Sequence, residues 1–343
     1  MRVHPRHMRA LGAVLTGTAL ISLAACGSDG PTGGAAGGDA SATKPVAAVI
    51  KGLDNPFFQL MQDGLNAQAK TAGATVEVQA AQSITDTTGQ AERLSALSQQ
   101  DFGCFVVNPI SGNNLVQGLA QVAAKDVPVV NIDSPIDSQA ADAAGLKVAT
   151  YIGTDNADAG AMAGDEMVKA VGSGTVAVIG GIAGDVTSEA RISGFTEKAQ
   201  AAGLTLVPTV SADWERQKAL TSATDLIAAH PDLKGIFAAN DDMGLGAARA
   251  VANAGKSGQI KVVSVDGNSD ALDAVKSGEL TATVAQYPYA IGQMGLQACQ
   301  KAMSGAQLPA DVKAPVALVT ADVVDQAKAA YPAPFAPFEN PLG

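Results

Sequence analysis

Two Asn and two Asp stand at matching places in this chain, and their chemistry is the first clue to what it handles. In the stretch from Phe105, the apolar FVV ends in Asn108, a helix-like segment follows, and VPVVNI ends in Asp133. In the stretch from Phe237, FAA ends in Asn240, a second helix-like segment follows, and IKVVSV ends in Asp266. Asn donates and accepts hydrogen bonds, whereas ionised Asp only accepts. Four such groups converging from two units suit a polyhydroxylated ligand. Each unit reads as strand, helix, strand, and in an open parallel sheet ligands bind outside the carboxyl ends of the strands, where these four residues fall.

Other chemistry finds little support. Two of the three His, His4 and His7, lie in the N-terminal leader, so only His230 remains; no His pair is left for metal binding or acid-base work, and no metal, cofactor or catalytic residue is expected. GLDNPFF, after the first strand, lacks the Gly-rich phosphate fingerprint. Asp133 and Asp266 are also the paired carboxylates a glycoside hydrolase would need, a reading that the ligand-binding context outweighs. The formal charge is −11, and −14 without the leader's Arg2, Arg6 and Arg9, which argues against nucleic acid as a partner.

The elements that must position these groups follow from hydrophobic patterning. From Pro45, short apolar runs alternate with amphipathic segments, the mark of an α/β fold whose parallel sheets are covered by helices on both faces. The expected strands are Val46 to Ile50, Thr75 to Gln79, Cys104 to Val107, Val127 to Ile132, Val148 to Ile152, Thr175 to Ile179, Leu204 to Val207, Gly235 to Ala239, Ile260 to Val265 and Ala282 to Ala285. Helices lie between them and exit at Gly residues such as Gly73, Gly203 and Gly255. The length of 343 residues accommodates two domains of about 150 residues each.

The N-terminus reads as an export signal: a basic start, an apolar stretch from Ala10 to about Leu23, then small residues. Leu23-Ala24-Ala25-Cys26 resembles the lipobox of bacterial lipoproteins, which implies a signal peptide over 1–25, lipidation of Cys26 and anchoring on the outer face of the cytoplasmic membrane. Residues 26–44, rich in Gly, Ala, Ser and Thr, form a flexible tether, and the Pro-rich segment 331–343 is expected to lie extended on the surface. Export permits a disulfide between the other cysteines, Cys104 and Cys299; two buried free thiols are the alternative.

Six short motifs, in order and spacing, resemble the ribose-type periplasmic binding proteins of sugar ABC importers: Asp54-Asn55-Pro56-Phe57-Phe58, Asn108-Pro109, Ala190-Arg191 to Gly194-Phe195, Ala239-Asn240-Asp241, Val265-Asp266-Gly267 and Val284-Ala285-Gln286. The resemblance covers about 45–318. It implies periplasmic binding protein type I architecture, with two doubly wound lobes joined by three hinge crossings near 153, 286 and 317. The first lobe would hold 45–154 and 287–317, the second 155–286 and 318–330. A monomer that closes on its ligand and docks on an ABC permease with its ATPase is implied; a sensor presenting the ligand to a receptor is the alternative. Repressors with the same two lobes carry a basic DNA-binding segment where this chain has its leader.

The resemblance also assigns contacts. Phe57, Phe58 and Trp214 would cover the apolar faces of a ring, while Asn55, Asn108, Asp133, Arg191, Asn240, Asp266 and Gln286 would bind its hydroxyls. Asp54, Asp241 and Asp242 are read as helix caps. One departure bears on specificity: ribose binders carry an arginine directly after the Asp that corresponds to Asp133, and here that position is Ser134. Two Asp against one Arg favour a neutral ligand rich in hydroxyl donors, either an aldose other than ribose, a sugar alcohol, or a cyclitol such as myo-inositol.

Overall fold

The computed structural model describes residues 44–343. The expected signal peptide, the lipidated Cys26 and nearly all of the tether lie outside the described residues. The chain first lays down β1 (Val46–Ile50), α1 (Pro56–Ala72), β2 (Val76–Ala80), α2 (Thr87–Leu97), β3 (Cys104–Val107), α3 (Val116–Ala123), β4 (Val129–Ile132), α4 (Ser138–Ala143) and β5 (Thr150–Gly153). It then builds a second unit from α5 (Asn156–Val171), β6 (Thr175–Gly180), α6 (Val186–Ala201), β7 (Thr205–Leu206), β8 (Val210–Ser211), α7 (Arg216–Ala229), β9 (Leu233–Ala238), α8 (Asp241–Asn253), β10 (Lys261–Asp266), α9 (Ser269–Ser277) and β11 (Ala282–Gln286). Finally α10 (Pro288–Met303) and β12 (Asp311–Lys313) return to the first unit, and β13 (Val316–Thr320) and α11 (Val324–Ala330) to the second.

The first sheet runs β12-β5-β4-β3-β1-β2, all parallel. The second runs β13-β11-β10-β9-β6-β7, with β8 beside β6 and only β13 antiparallel. Central strands such as β1 and β3 are buried on both faces, which is why they are unbroken apolar runs; β4 is equally buried and carries one polar residue, Asn131. Edge strands are polar or half-exposed, and β8, β12 and β13 were not among the expected strands. This is the α/β, two-lobed periplasmic binding protein type I fold.

The hinge consists of three short crossings. Two lie side by side: β12 pairs with β5, and Ala314 N donates to Gly153 O at 2.8 Å. The third runs from Gln286 into α10. Because β13 already begins at Val316 in the second sheet, the last crossing is at 314–315, earlier than the expected 317.

The coordinates resolve one expectation left open by the sequence and correct another. Cys104 of β3 and Cys299 of α10 form a disulfide with a Cα–Cα separation of 5.7 Å, joining segments 195 residues apart within the first lobe. The terminal segment is packed, not merely laid on the surface. Tyr331 and Phe335 pack on the second lobe's core, Phe338 on the first, and Leu342 is buried there at 3 % exposure. Asn340 Nδ2 also donates to Gln297 Oε1 of α10 at 2.7 Å.

Candidate functional site

The carboxyl ends of β1, β4, β9 and β10 and the starts of α1 and α6 meet at one cavity between the lobes. Its empty volume is about 550 Å³ including the mouth, the scale of a pocket for one small molecule. Both lobes line it. Nine of the eleven residues singled out from the sequence face it: Asn55, Phe57, Phe58, Asp133, Ser134, Arg191, Trp214, Asn240 and Asp266.

The apolar walls come from short structural commitments. Pro56 starts α1 and Asn55 caps it, its Oδ1 accepting from Phe57 N at 2.9 Å; this fixes Phe57 and Phe58 at the end of β1. The two rings sit edge to face with centroids 5.3 Å apart. Trp214, on the second lobe, has a φ of 67°, and its indole packs on Gly181 so tightly that any Cβ there would collide with the ring.

The polar groups are held firmly. Arg191 is 4 % exposed; its Nε donates to Asn156 Oδ1 at 2.8 Å, and its Nη1 to Ala239 O at 2.7 Å and Asp266 Oδ1 at 3.2 Å. That reach requires α6 to lie directly on α5, where Gly160 and Gly194 leave room for backbone on the facing helix. Gln286 Nε2 also donates to Asp266 Oδ1, at 2.7 Å. Asp266 Oδ1 is therefore occupied twice, while Oδ2 has no protein partner among the described residues. Burial pushes the Asp266 carboxyl up to about 6, against the pull of the Arg191 guanidinium and the Gln286 hydrogen bond. Behind it, burial and the charge of Asp266 push the Asp241 carboxyl up to about 8.

Asp133 and Asp266 share a backbone peculiarity: φ is 60° at the first and 138° at the second, a region unusual for residues with a side chain. Tyr151 steadies the first, donating its hydroxyl to Asp133 O at 2.6 Å. Burial, and then the charge of Asp133, push the Tyr151 hydroxyl far up, so it stays a donor.

Several roles differ from expectation. Asn108 does not line the cavity: it is fully buried, with its Nδ2 3.5 Å from Met61 Sδ and its Oδ1 accepting from Ser134 N at 3.4 Å. Gln286 is likewise behind the wall, acting on Asp266. The caps of α1 and α8 are Asn55 and Asn240, which corrects the reading of Asp54, Asp241 and Asp242 as caps. Asp54 accepts from Ile84 N, Asp241 is buried inside the second lobe, and Asp242 reaches across the cleft, where Asn55 Nδ2 donates to its Oδ2 at 3.1 Å.

Lys51 was overlooked. It follows β1 directly, lines the cavity, donates to Ser134 Oγ at 2.6 Å and lies 5.5 Å above the Phe58 ring. The expected balance of two Asp against one Arg therefore omits a second cation, and it stands beside the residue where the arginine of ribose binders is missing. Its position at the carboxyl end of a central strand was the available signal.

A model described as a periplasmic binding protein domain matches residues 46–307. The chain belongs to the periplasmic binding protein family. This binding protein is 38 % identical over 291 residues to the D-allose-binding periplasmic protein of Escherichia coli K12, covering 84 % of this chain and 94 % of the relative. It is 34 % identical over 276 residues to a ribose import binding protein of Bacillus subtilis 168, covering 80 % and 87 %. Among solved structures, a solute-binding protein from Actinobacillus succinogenes with bound D-allose superposes with a TM-score of 0.78 at 28 % identity, covering 82 % of this chain and 99 % of that one. The family serves sugar import by ABC transporters outside the cytoplasm and is a transport family, not an enzyme family. Among the described residues, no helix is long and apolar enough to cross a membrane and no cluster could hold a metal ion.

Proposed function

We propose that this binding protein captures a neutral aldopyranose, a hexose of the allose type in preference to ribose, and delivers it to an ABC permease. The observation that carries this reading is the Lys51–Ser134 pair beside Asp133. Where the resemblance to ribose binders places a rigid guanidinium, this site has a small hydroxyl with an ammonium reaching it from β1, which frees space for an additional hydroxymethyl group and keeps a cationic donor. Phe57, Phe58 and Trp214 would cover the ring's C–H faces; Asn55, Asp133, Arg191, Asn240 and Asp266 would take its hydroxyls. The D-allose-binding relative and the D-allose-bound neighbour support the hexose choice.

Closure follows from this arrangement, because the ligand reaches both half-sites only when the lobes are together, so binding favours the closed form. Anchoring through Cys26 and action as a monomer belong to the same reading. Calorimetry on residues 44–343 with D-allose, other aldohexoses, D-ribose, sorbitol and myo-inositol tests it. Tightest binding of an aldohexose is expected; tightest binding of D-ribose would sink the proposal, and of myo-inositol or sorbitol would move it to polyols. Cys26→Ser in the full chain should release the protein from the membrane fraction.

A further inference from the structure

We propose that Asp241, which does not line the cavity, is a positioning residue for the sugar site: its carboxyl group fixes the turn Asp266–Gly267–Asn268 and thereby sets the affinity. This rests on the reading of Asp266 as a sugar contact.

That turn cannot hold itself. Asp266 has a φ of 138° and Gly267 a φ of 76°, and strained backbone persists only where its surroundings over-determine it. Gly267 also lies so close to Ala285 that a Cβ would collide with it. Asp241 supplies the restraint. It is fully buried and accepts from Ser264 Oγ of β10 at 2.6 Å, from Thr283 Oγ1 of β11 at 2.7 Å and from Asn268 N at 2.7 Å. The Thr283 oxygen in turn accepts from Gly267 N at 3.3 Å. Both amides after Asp266 are thus tied to one carboxyl group, directly or through Thr283.

Helix capping does not explain the residue, because Asn240 caps α8. Apolar packing does not explain it either, since a buried carboxyl is costly unless fully hydrogen-bonded. Its place in the chain does: directly after Asn240, which lines the cavity, it locks the start of α8 to the Asp266 turn. Two polar contacts of the second lobe are thereby set relative to each other.

The test uses residues 44–343 with two readouts, D-allose Kd by calorimetry and hydrogen exchange at the Asn268 amide without sugar. Asp241→Ala should raise Kd about tenfold or more and speed the exchange comparably. Asp241→Asn, which keeps an acceptor and a polar partner for the hydroxyls, should recover most of both. Leu119→Ala, a destabilising change in the first lobe's core, should leave Kd within about twofold. Unchanged Kd and exchange in folded Asp241→Ala would overturn the proposal. Should that variant not fold, Thr283→Val serves: weaker binding with faster exchange supports the proposal and no change in either overturns it. If wild-type protein binds no aldose, the functional reading fails, while slow, Asp241-dependent exchange at Asn268 still upholds the turn restraint and its loss refutes it.

Discussion

A cavity-facing carboxylate must stay ionised to accept two hydroxyls, and Asp266 achieves this under pressure. Arg191 and Gln286 hold its charge while burial and then the neighbouring Asp242 and Asp133 work against it. As pH falls, Asp241 takes up a proton first, and below about pH 6 Asp266 follows; sugar affinity should then drop, a trend that calorimetry across pH 5 to 8 reads directly and that Asp266→Asn should flatten. Stability carries the opposite sign. Both folded pKa values lie above the ordinary 3.8, so these two groups contribute most below about pH 4, and that contribution is lost as pH rises through 6 and 8. Trp214→Ala should weaken binding by about 2–3 kcal/mol, roughly a hundredfold in Kd, through lost ring burial; an unchanged Kd would remove the indole from the site. The Asn and Asp pairs were legible because strand ends meet at the cleft. Side-chain direction was not: Asn108 ends β3 and points under the floor, while its counterpart Asn240 faces the cavity, so the internal repeat does not extend to orientation.

At the scale of elements, the N-termini of α1 and α8 face each other across the cleft, and the Asn55–Asp242 hydrogen bond joins them. Arg216 braces Asp242 from behind through Nε at 3.0 Å and Nη2 at 2.7 Å. Asp242→Ala should therefore loosen closure and raise Kd by about fivefold, in line with one hydrogen bond of about 1 kcal/mol; small-angle scattering should show a larger sugar-free molecule, and equal Kd and equal size would refute the role. The disulfide belongs to the first lobe alone and stands apart from the cavity. Cys104→Ala with Cys299→Ala should lower stability to urea by about 2–4 kcal/mol and leave Kd unchanged. Buried parallel strands announced themselves as apolar runs. β12 did not, because it is exposed at both ends; β13 carries the apolar run Val316-Ala317-Leu318-Val319 and was overlooked. The third crossing was misplaced with it.

Across the whole molecule, the segment after α11 crosses from one lobe to the other, adding a non-covalent link to the three covalent crossings. Truncation after Ala330 should lower the unfolding midpoint, since it strips Phe338 and the 3 % exposed Leu342 from the first lobe's core and uncovers part of α10; an unchanged midpoint would mean that the segment adds nothing. Its composition hid this role, for four prolines among its last fourteen residues suggest an extended tail, and only the packing of Phe335, Phe338 and Leu342 tells which surfaces they reach. The segment also decides how the molecule can be instrumented. The chain enters the first lobe at β1 and, through Leu342, finishes on that same lobe. Fluorescent proteins fused directly before Lys44 and after Gly343 would both ride on the first lobe, and energy transfer between them would barely report closure. Moving the second fluorophore to follow Ala330 would place it on the other lobe, turning a silent pair into a sugar gauge.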